Sequence, residues 1–269
     1  MSGVKTANVL FSVGLARNVI IMSISKDKVW FDELSMEEVK DAVKADKVII
    51  LPVGSVEEHG SHLPLCTDSI QPEHIAVEVA KKTESLVAPP MKYGVCTTTR
   101  IFPGTISISF HSLHRITREI VEEFIRNGFK RFLILSGHAD EEQMVALRLA
   151  ARHVIWRHKG ENGNRKIRIM VCADYDFAYQ LRGKYFDEKD GHGGTIETSR
   201  VMAIRPDLIK GEGKKSLSKL PRFEIVANPE DFFPEGIIGD PKAASAEKGL
   251  FINNHIIEEI VRLIEELKR

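Results

Sequence analysis

Two hydrophobic periods alternate along the chain from residue 35 onward. KVIILPVGS (47–55), KRFLILSGH (130–138) and IRIMVCADY (167–175) are short, nearly continuous apolar runs rich in branched residues. That is the pattern of strands buried on both faces. SLVAPPM (85–91) reads as a further short strand stopped by Pro89 and Pro90. Between the runs the spacing turns helical. Ser35 is placed to cap MEEVKDAVKA, whose early glutamates suit the positive end of a helix. QPEHIAVEVAKKTE (71–84) is a helix with Pro72 near its start, and 141–160 is another. Over 112–129, Leu113, Ile116, Ile120, Phe124 and Ile125 predict one buried face, with Gly128 near the C-terminal cap. IETSRVMAI (196–204) predicts a helix ended by Pro206, and 253–269 an amphipathic helix capped by asparagines. A polar Gly/Asn-rich turn is expected at 160–166, and the stretch from about 205 to 249 shows no firm period. Strands separated by helices imply an α/β fold: three αβα layers around a mainly parallel sheet. No repeat or linker divides residues 23–269, so they are expected to form one domain.

The amino terminus stands apart. NVLFSVGLARNVII (8–21) is apolar but interrupted by Arg17 and Asn18, short of the roughly 20 residues a membrane span needs. Residues 1–22 are therefore read as an extension or tail, with no membrane partner expected. The 269 residues carry 38 Lys+Arg against 38 Asp+Glu, which argues against general nucleic-acid binding. Three widely spaced cysteines, Cys66, Cys96 and Cys172, form no disulfide framework or metal knuckle, and a reducing, cytoplasmic compartment is expected. Cys66 is singled out because it lies inside the loop described next, although packing alone explains it.

Candidate chemistry collects at three junctions between strand and helix. GSVEEHGSHLPLCTD (54–68) places Glu57, His59, His62 and Asp68 within a loop turned by Gly60 and Pro64. Mixed carboxylate and imidazole donors suit Zn²⁺, Mn²⁺ or Fe²⁺, whereas Ca²⁺ prefers oxygen alone. SGHADEE (136–142) delivers His138 at a strand end, then Asp140, Glu141 and Glu142. The acidic residues also fit a helix N-terminus; His138 gains nothing from that end. DGHGGTIETS (190–199) exposes His192 between glycines, with Glu197 just inside a helix. Loops at the carboxyl ends of parallel strands line the active crevice of such sheets, so three clusters there point to one metal-assisted site.

These three segments resemble the signatures of the creatininase family of metal-dependent amidohydrolases, in order over most of residues 45–210. The first segment is commonly E-Q-H-G-x-H-L-P in that family; here Glu58 stands for the glutamine. The resemblance implies Glu57, His59, Asp68 and His138 as metal ligands, Asp68 bridging two ions, and places Asp140 where creatininase has a glutamate ligand. It places His192 and Glu197 at the reacting centre, with Gly193 and Thr195 departing from the usual H-A-G-E-x-E-T-S, and His62 behind the ligands. YGVCTTTRIFPGTISISF (93–110) and SGHA are similar to the archaeal formamidopyrimidine-nucleotide deformylase branch, which acts in flavin and deazaflavin synthesis. The acidic EEQM after SGHAD departs from that branch. Other branches open creatinine, trim a peptide or hydrolyse a cyclic keto-inositol.

The implied enzyme carries one or two divalent ions (Fe²⁺, Zn²⁺ or Mn²⁺), which lower the pKa of bound water to about 7 for attack on an amide carbonyl. His192 or Glu197 passes the proton to the leaving nitrogen. The substrate is a small molecule contacted by His62 and Arg100; Lys92 and Thr97–Thr99 complete the candidates for a phosphate. The family resemblance implies a homo-oligomer. A metal-binding homologue without turnover is the alternative from another class. Asp140, Thr195 and the acidic run favour it, and the joint presence of Glu57, His59, Asp68 and His138 weighs against it.

Overall fold

The computed structural model describes residues 28–159, 167–217, 221 and 223–269. The expected tail at 1–22 and the turn at 160–166 lie outside them. Helix α1 (Met36–Lys44) begins as expected: Ser35 Oγ accepts from the Glu38 N–H, and the Glu38 carboxylate accepts from the Ser35 N–H at 2.7 Å. Strand β1 (Ile49–Val53) is buried throughout, as its unbroken apolar run demands. Helix α2 (Thr67–Thr83), strand β2 (Leu86–Val87), helix α3 (Phe110–Arg126), strand β3 (Arg131–Ser136), helix α4 (Glu141–Arg157) and strand β4 (Arg168–Ala173) follow in alternation.

The four strands are parallel in the order β2-β1-β3-β4, with Ile49 opposite Leu86 and Phe132, and Arg131 opposite Arg168. Helix α2 covers one face together with the last helix, α7 (Ala246–Lys268), while α3 and α4 pack on each other against the other face. This is the expected three-layer arrangement. The chain leaves β1 toward β2 on one side and leaves β3 toward β4 on the other. The carboxyl ends of these adjacent strands therefore open a crevice where connections diverge, the place such sheets reserve for ligands.

Several elements depart from their sequence patterns. Helix α2 starts at Thr67, which puts Pro72 inside it. Proline has no N–H for the Asp68 carbonyl, so that oxygen is left outside the helical ladder. On α3 the buried line is Leu113, Thr117, Val121 and Phe124, and Ile116 is 46% exposed. The helix turns a polar threonine inward because its i, i+4, i+8 row faces the core. Helix α7 starts well before Asn253, at Ala246, with Ser245 Oγ accepting from the Lys248 N–H. Gly249 hid this start by weakening the helical pattern. It is needed there: a Cβ at Gly249 would overlap the Ser199 carbonyl oxygen of helix α6 (Thr195–Ile204).

The stretch without a period contains a two-stranded antiparallel pair, β5 (Ser216–Leu217) with β6 (Ile238–Gly239). Strand β6 is held by the loop before α6: the Ile238 N–H donates to the His192 carbonyl at 2.6 Å, and the Gly191 N–H to the Ile238 carbonyl at 2.8 Å. A short helix α5 (Tyr175–Ala178), not expected from the sequence, follows β4 directly.

Candidate metal centre

The loop after β1 and the turn after β3 meet in the crevice because α2 comes unusually close to both. A Cβ at Gly137 would overlap the Asp68 carbonyl oxygen and the Pro72 ring, and one at Gly54 would lie 2.5 Å from Ser69 Oγ. Small residues at both strand ends thus bring Asp68, in the first turn of α2, against residues from β1 and β3. Gly137→Ala is expected to push α2 outward, costing about 1–3 kcal/mol of stability. It should also weaken metal binding by displacing Asp68. Thermal unfolding and metal titration of the variant check this; wild-type metal affinity would show that Asp68 had not moved.

The geometry of the four expected ligands is closely tied. Glu57, His59, Asp68 and His138 are all buried. His59 Nδ1 is 3.1 Å from the Glu57 carbonyl oxygen, and His138 Nε2 is 2.9 Å from that of Val95. A carbonyl only accepts, so these nitrogens carry the protons in the neutral rings. The opposite nitrogens then present lone pairs inward, the arrangement that orients metal-binding imidazoles. His59 Nε2 lies 3.0 Å from Asp68 Oδ1, and His138 Nδ1 lies 2.9 Å from both Glu57 Oε2 and Asp68 Oδ2. At these distances each inward nitrogen carries either a proton given to the carboxylates or a lone pair shared with them on a bound cation. The donor set fits a divalent transition ion.

Supporting groups fix the carboxylates. Ser55 Oγ donates to Asp68 Oδ2 at 2.7 Å, and Thr99 Oγ1 donates to Glu57 Oε1. His192 and Glu197 join the same site from the loop before α6. The His192 ring stacks on His59 at a centroid distance of 4.1 Å, and its Nε2 is 2.7 Å from the Glu58 carbonyl oxygen. Glu197 Oε2 accepts from the Gly193 N–H at 2.6 Å and lies 3.5 Å from His59 Nε2. A cavity of about 280 Å³ opens above, lined by Glu57, Asp68, His138, His192 and Glu197 with Thr98, Thr99, Tyr175, Tyr179, Phe233 and Ile238, while His59 lies behind this lining.

Four other expected positions, Asp140, His62, Arg100 and Lys92, are placed differently. Asp140 lines the cavity, but its carboxylate caps α4: Oδ1 accepts from the Glu142 and Gln143 N–H groups at 2.9 and 3.3 Å. His62 is buried away from the cavity lining, with Nε2 2.8 Å from Thr198 Oγ1 on α6. Burial and the neighbouring His59 push it down to about 4, so it stays neutral at ordinary pH. Arg100 is exposed and outside the cavity lining, and Lys92 pairs with Glu73 at 2.9 Å. Among the cysteines, Cys96 rather than Cys66 reaches the centre; its Sγ groups with Glu57 and His138. The aromatic wall from Tyr175, Tyr179 and Phe233 was also unmarked in the sequence, since single aromatics in loops and short helices carry no period.

In the metal-free protein the carboxylates hold protons on the imidazoles. Burial works against this, but Asp68 and Glu197 push His59 up to about 10, and Glu57 and Asp68 hold His138 well above the usual histidine range. Despite burial, the same imidazoles hold Asp68 well below the usual carboxylate range. A raised histidine stabilises fully below its unfolded value near 6.5 and loses that contribution as pH rises through about 10. The depressed Asp68 contributes above its ordinary value of 3.8 and loses its part as pH falls below it. The metal-free Tm is therefore expected to decline from pH 7 to 10 (~neutral to alkaline). Saturating Zn²⁺ should flatten or reverse that slope, because protons and metal compete for the same nitrogens. Thermal denaturation with chelator and with zinc measures both; a flat metal-free curve would contradict the protonated pair.

The family model described as creatinine amidohydrolase matches residues 32–264. The creatinine amidohydrolase of Pseudomonas putida is 28% identical over 256 residues, covering 88% of this chain and 96% of that protein. The mycofactocin precursor peptide peptidase of Mycolicibacterium smegmatis is 29% identical, covering 75% of this chain and 78% of its own. A solved manganese creatininase superposes at a TM-score of 0.80 with 27% identity, covering 90% of this chain and 99% of that one. A zinc form gives a TM-score of 0.80 at 26% identity, with 89% and 98% covered. The described residues contain no helix long and apolar enough to cross a membrane. With the family model spanning most of its length, the chain belongs to the creatininase family, metal-dependent amidohydrolases that act on C–N bonds.

Proposed function

We propose that the protein removes the formyl group from a formylamino-pyrimidine ribonucleotide, a flavin or deazaflavin precursor. The observation that carries the reading is the placement of Glu57, Asp68 and His138 at a cavity walled by Tyr175, Tyr179, Phe233 and His192, with His59 behind Asp68. Aromatic walls suit a planar heterocycle held with its amide toward the floor. Glu57, His59, Asp68 and His138 hold the divalent ion, which supplies Lewis acidity and activated water when bound. His192 supplies the acid. In the metal-free protein, although burial and His59 oppose it, the Glu57 and Glu58 carboxylates raise its ring above the usual histidine range; a bound ion would take up the Glu57 charge and leave Glu58 as the support. A protonated ring beside the cavity can donate to the leaving nitrogen. Glu197, anchored by the Gly193 N–H, keeps a carboxylate at the wall to receive a proton. Asp140, as helix cap, shapes the rim, and His62 steadies α6 through Thr198. Arg100, exposed on the segment that carries Thr98 and Thr99, is the cation available for a phosphate outside the cavity mouth.

A second reading has its own support. The modest cavity and the Pseudomonas putida relative favour a compact cyclic amide such as creatinine. Anaerobic loading with Fe²⁺, Mn²⁺ or Zn²⁺, followed by assays for formate from the ribonucleotide and creatine from creatinine, separates the two. Metal-dependent formate release is expected; creatine release without formate would replace the first reading with the second. The three free thiols suit a reducing cytoplasm, and light scattering on the purified protein tests the homo-oligomer.

A further inference from the structure

Cys96 is fully buried beside the metal centre, and its placement is fixed from both directions along the backbone. The Val95 N–H donates to Gln143 Oε1 on α4 at 2.9 Å, and the Val95 carbonyl accepts from His138 Nε2 at 2.9 Å. The Cys96 N–H donates to Ser107 Oγ at 2.9 Å. The ring that turns Nδ1 toward Glu57 thus also anchors the residue before the thiol. The donor atoms of Glu57, Cys96 and His138 lie within 4.8 Å of one another, and those of Glu57, His59 and His192 form a second such group. Glu57 belongs to both. Its Oε2 is buried and lies 2.9 Å from His138 Nδ1, so the carboxylate and the ring of the sulfur-containing group already meet at one point.

We propose that Cys96 Sγ is a ligand to the ion held by Glu57 and His138, so that this position selects a borderline-soft ion over manganese. The inference rests on the metal-centre reading above and adds a sulfur donor to it. Binding exchanges the thiol proton to solvent for a sulfur–metal bond, with no change of oxidation state. Thiolate ligands favour Zn²⁺ and other soft or borderline ions, whereas Mn²⁺ prefers oxygen. The remaining group, with imidazole and carboxylate donors only, makes no such distinction by sulfur.

The test uses the full-length protein, stripped of metal and reloaded with Zn²⁺. Zinc-edge X-ray absorption of the wild type is expected to show a sulfur shell at about 2.3 Å beside nitrogen and oxygen at about 2.0–2.2 Å. Cys66→Ser should keep the sulfur shell and Cys96→Ser should lose it. Co²⁺-loaded wild type should show a sulfur-to-cobalt charge-transfer band in the near ultraviolet that Cys96→Ser lacks. Competition titration should show the preference for Zn²⁺ over Mn²⁺ falling about a hundredfold in Cys96→Ser. Zinc bound with nitrogen and oxygen alone in the wild type would overturn the proposal and leave the metal centre standing. Failure of the wild type to bind zinc would overturn both. The wild-type spectrum decides even if the serine variant does not fold.

Discussion

Replacing His138 by alanine is expected to strip the protein of its divalent ion and its turnover while leaving the fold in place. The ring does three things at once. Its Nδ1 lies 2.9 Å from Glu57 Oε2 and 2.9 Å from Asp68 Oδ2, and its Nε2 donates to the Val95 carbonyl. Alanine removes a ligand and leaves the two carboxylates to repel each other. Outer partners of metal ligands typically cost about 10–100-fold in affinity, so loss of a direct ligand should exceed about a hundredfold. The unpaired Val95 carbonyl adds about 1–3 kcal/mol of instability, softened by water entering from the adjoining cavity. Metal content after dialysis, turnover with excess metal and far-ultraviolet dichroism measure the three parts. Full activity with wild-type metal content would mean that the centre lies elsewhere.

The second large effect concerns a pair that touches no ligand. Arg200 Nη2 donates to Asp174 Oδ2 at 2.5 Å, both residues being fully buried, and Arg200 Nε donates to Asn253 Oδ1 at 3.0 Å. Arg200 follows Glu197 by three residues on α6, Asp174 directly follows β4, and Asn253 lies on α7. One guanidinium therefore ties the helix carrying Glu197 to the sheet and to the last helix. Its carbon atom also lies 5.0 Å from the Tyr175 ring centre, behind a residue of the cavity wall. Arg200→Met leaves Asp174 buried without its counter-ion. Breaking such a pair from one side costs about 3–5 kcal/mol. For a chain of this size the Tm should fall by roughly 10 °C. Burial already raises Asp174 against the pull of Arg200, so in the variant it should take up a proton more readily, and the loss should shrink at acid pH. The double variant Arg200→Met with Asp174→Asn should recover part of the stability, since neither charge is then stranded. A Tm within a degree of wild type for Arg200→Met alone would show that the pair contributes nothing.

Much of the centre was legible in the sequence because its chemistry is local. Glu57, His59 and Asp68 fall within twelve residues after a buried strand, and His138 follows another strand after one glycine. Apolar runs of strand length set between amphipathic helices fix a parallel sheet. The carboxyl ends of parallel strands lie on the same side, so the clusters had to share it. The four residues expected as ligands were thus readable as one group of donors before their distances were known, and the family resemblance supplied their roles.

The roles that depend on residues far apart in sequence required the tertiary structure. Asp140 has the same spacing from His138 whether it binds metal or caps a helix; the chain turns into α4 there and puts Oδ1 on two backbone N–H groups. His62 was expected behind the ligands and at the substrate, yet its nitrogen faces Thr198, 136 residues away. Cys96 gives no signal in its own segment, because only the bonds from Val95 to Gln143 and His138 bring it to Glu57. Phe233 and Ile238 sit in a stretch without a period, whose β6 strand forms only by pairing with β5 and bonding to the loop around His192. Sequence by itself determined the layered sheet and the metal-binding residue types, since hydrophobic period and donor chemistry are properties of neighbouring residues. Tertiary structure alone decided which side chains serve the centre and which serve the scaffold, because a hydrogen bond or a close approach across a hundred residues leaves no trace in local spacing.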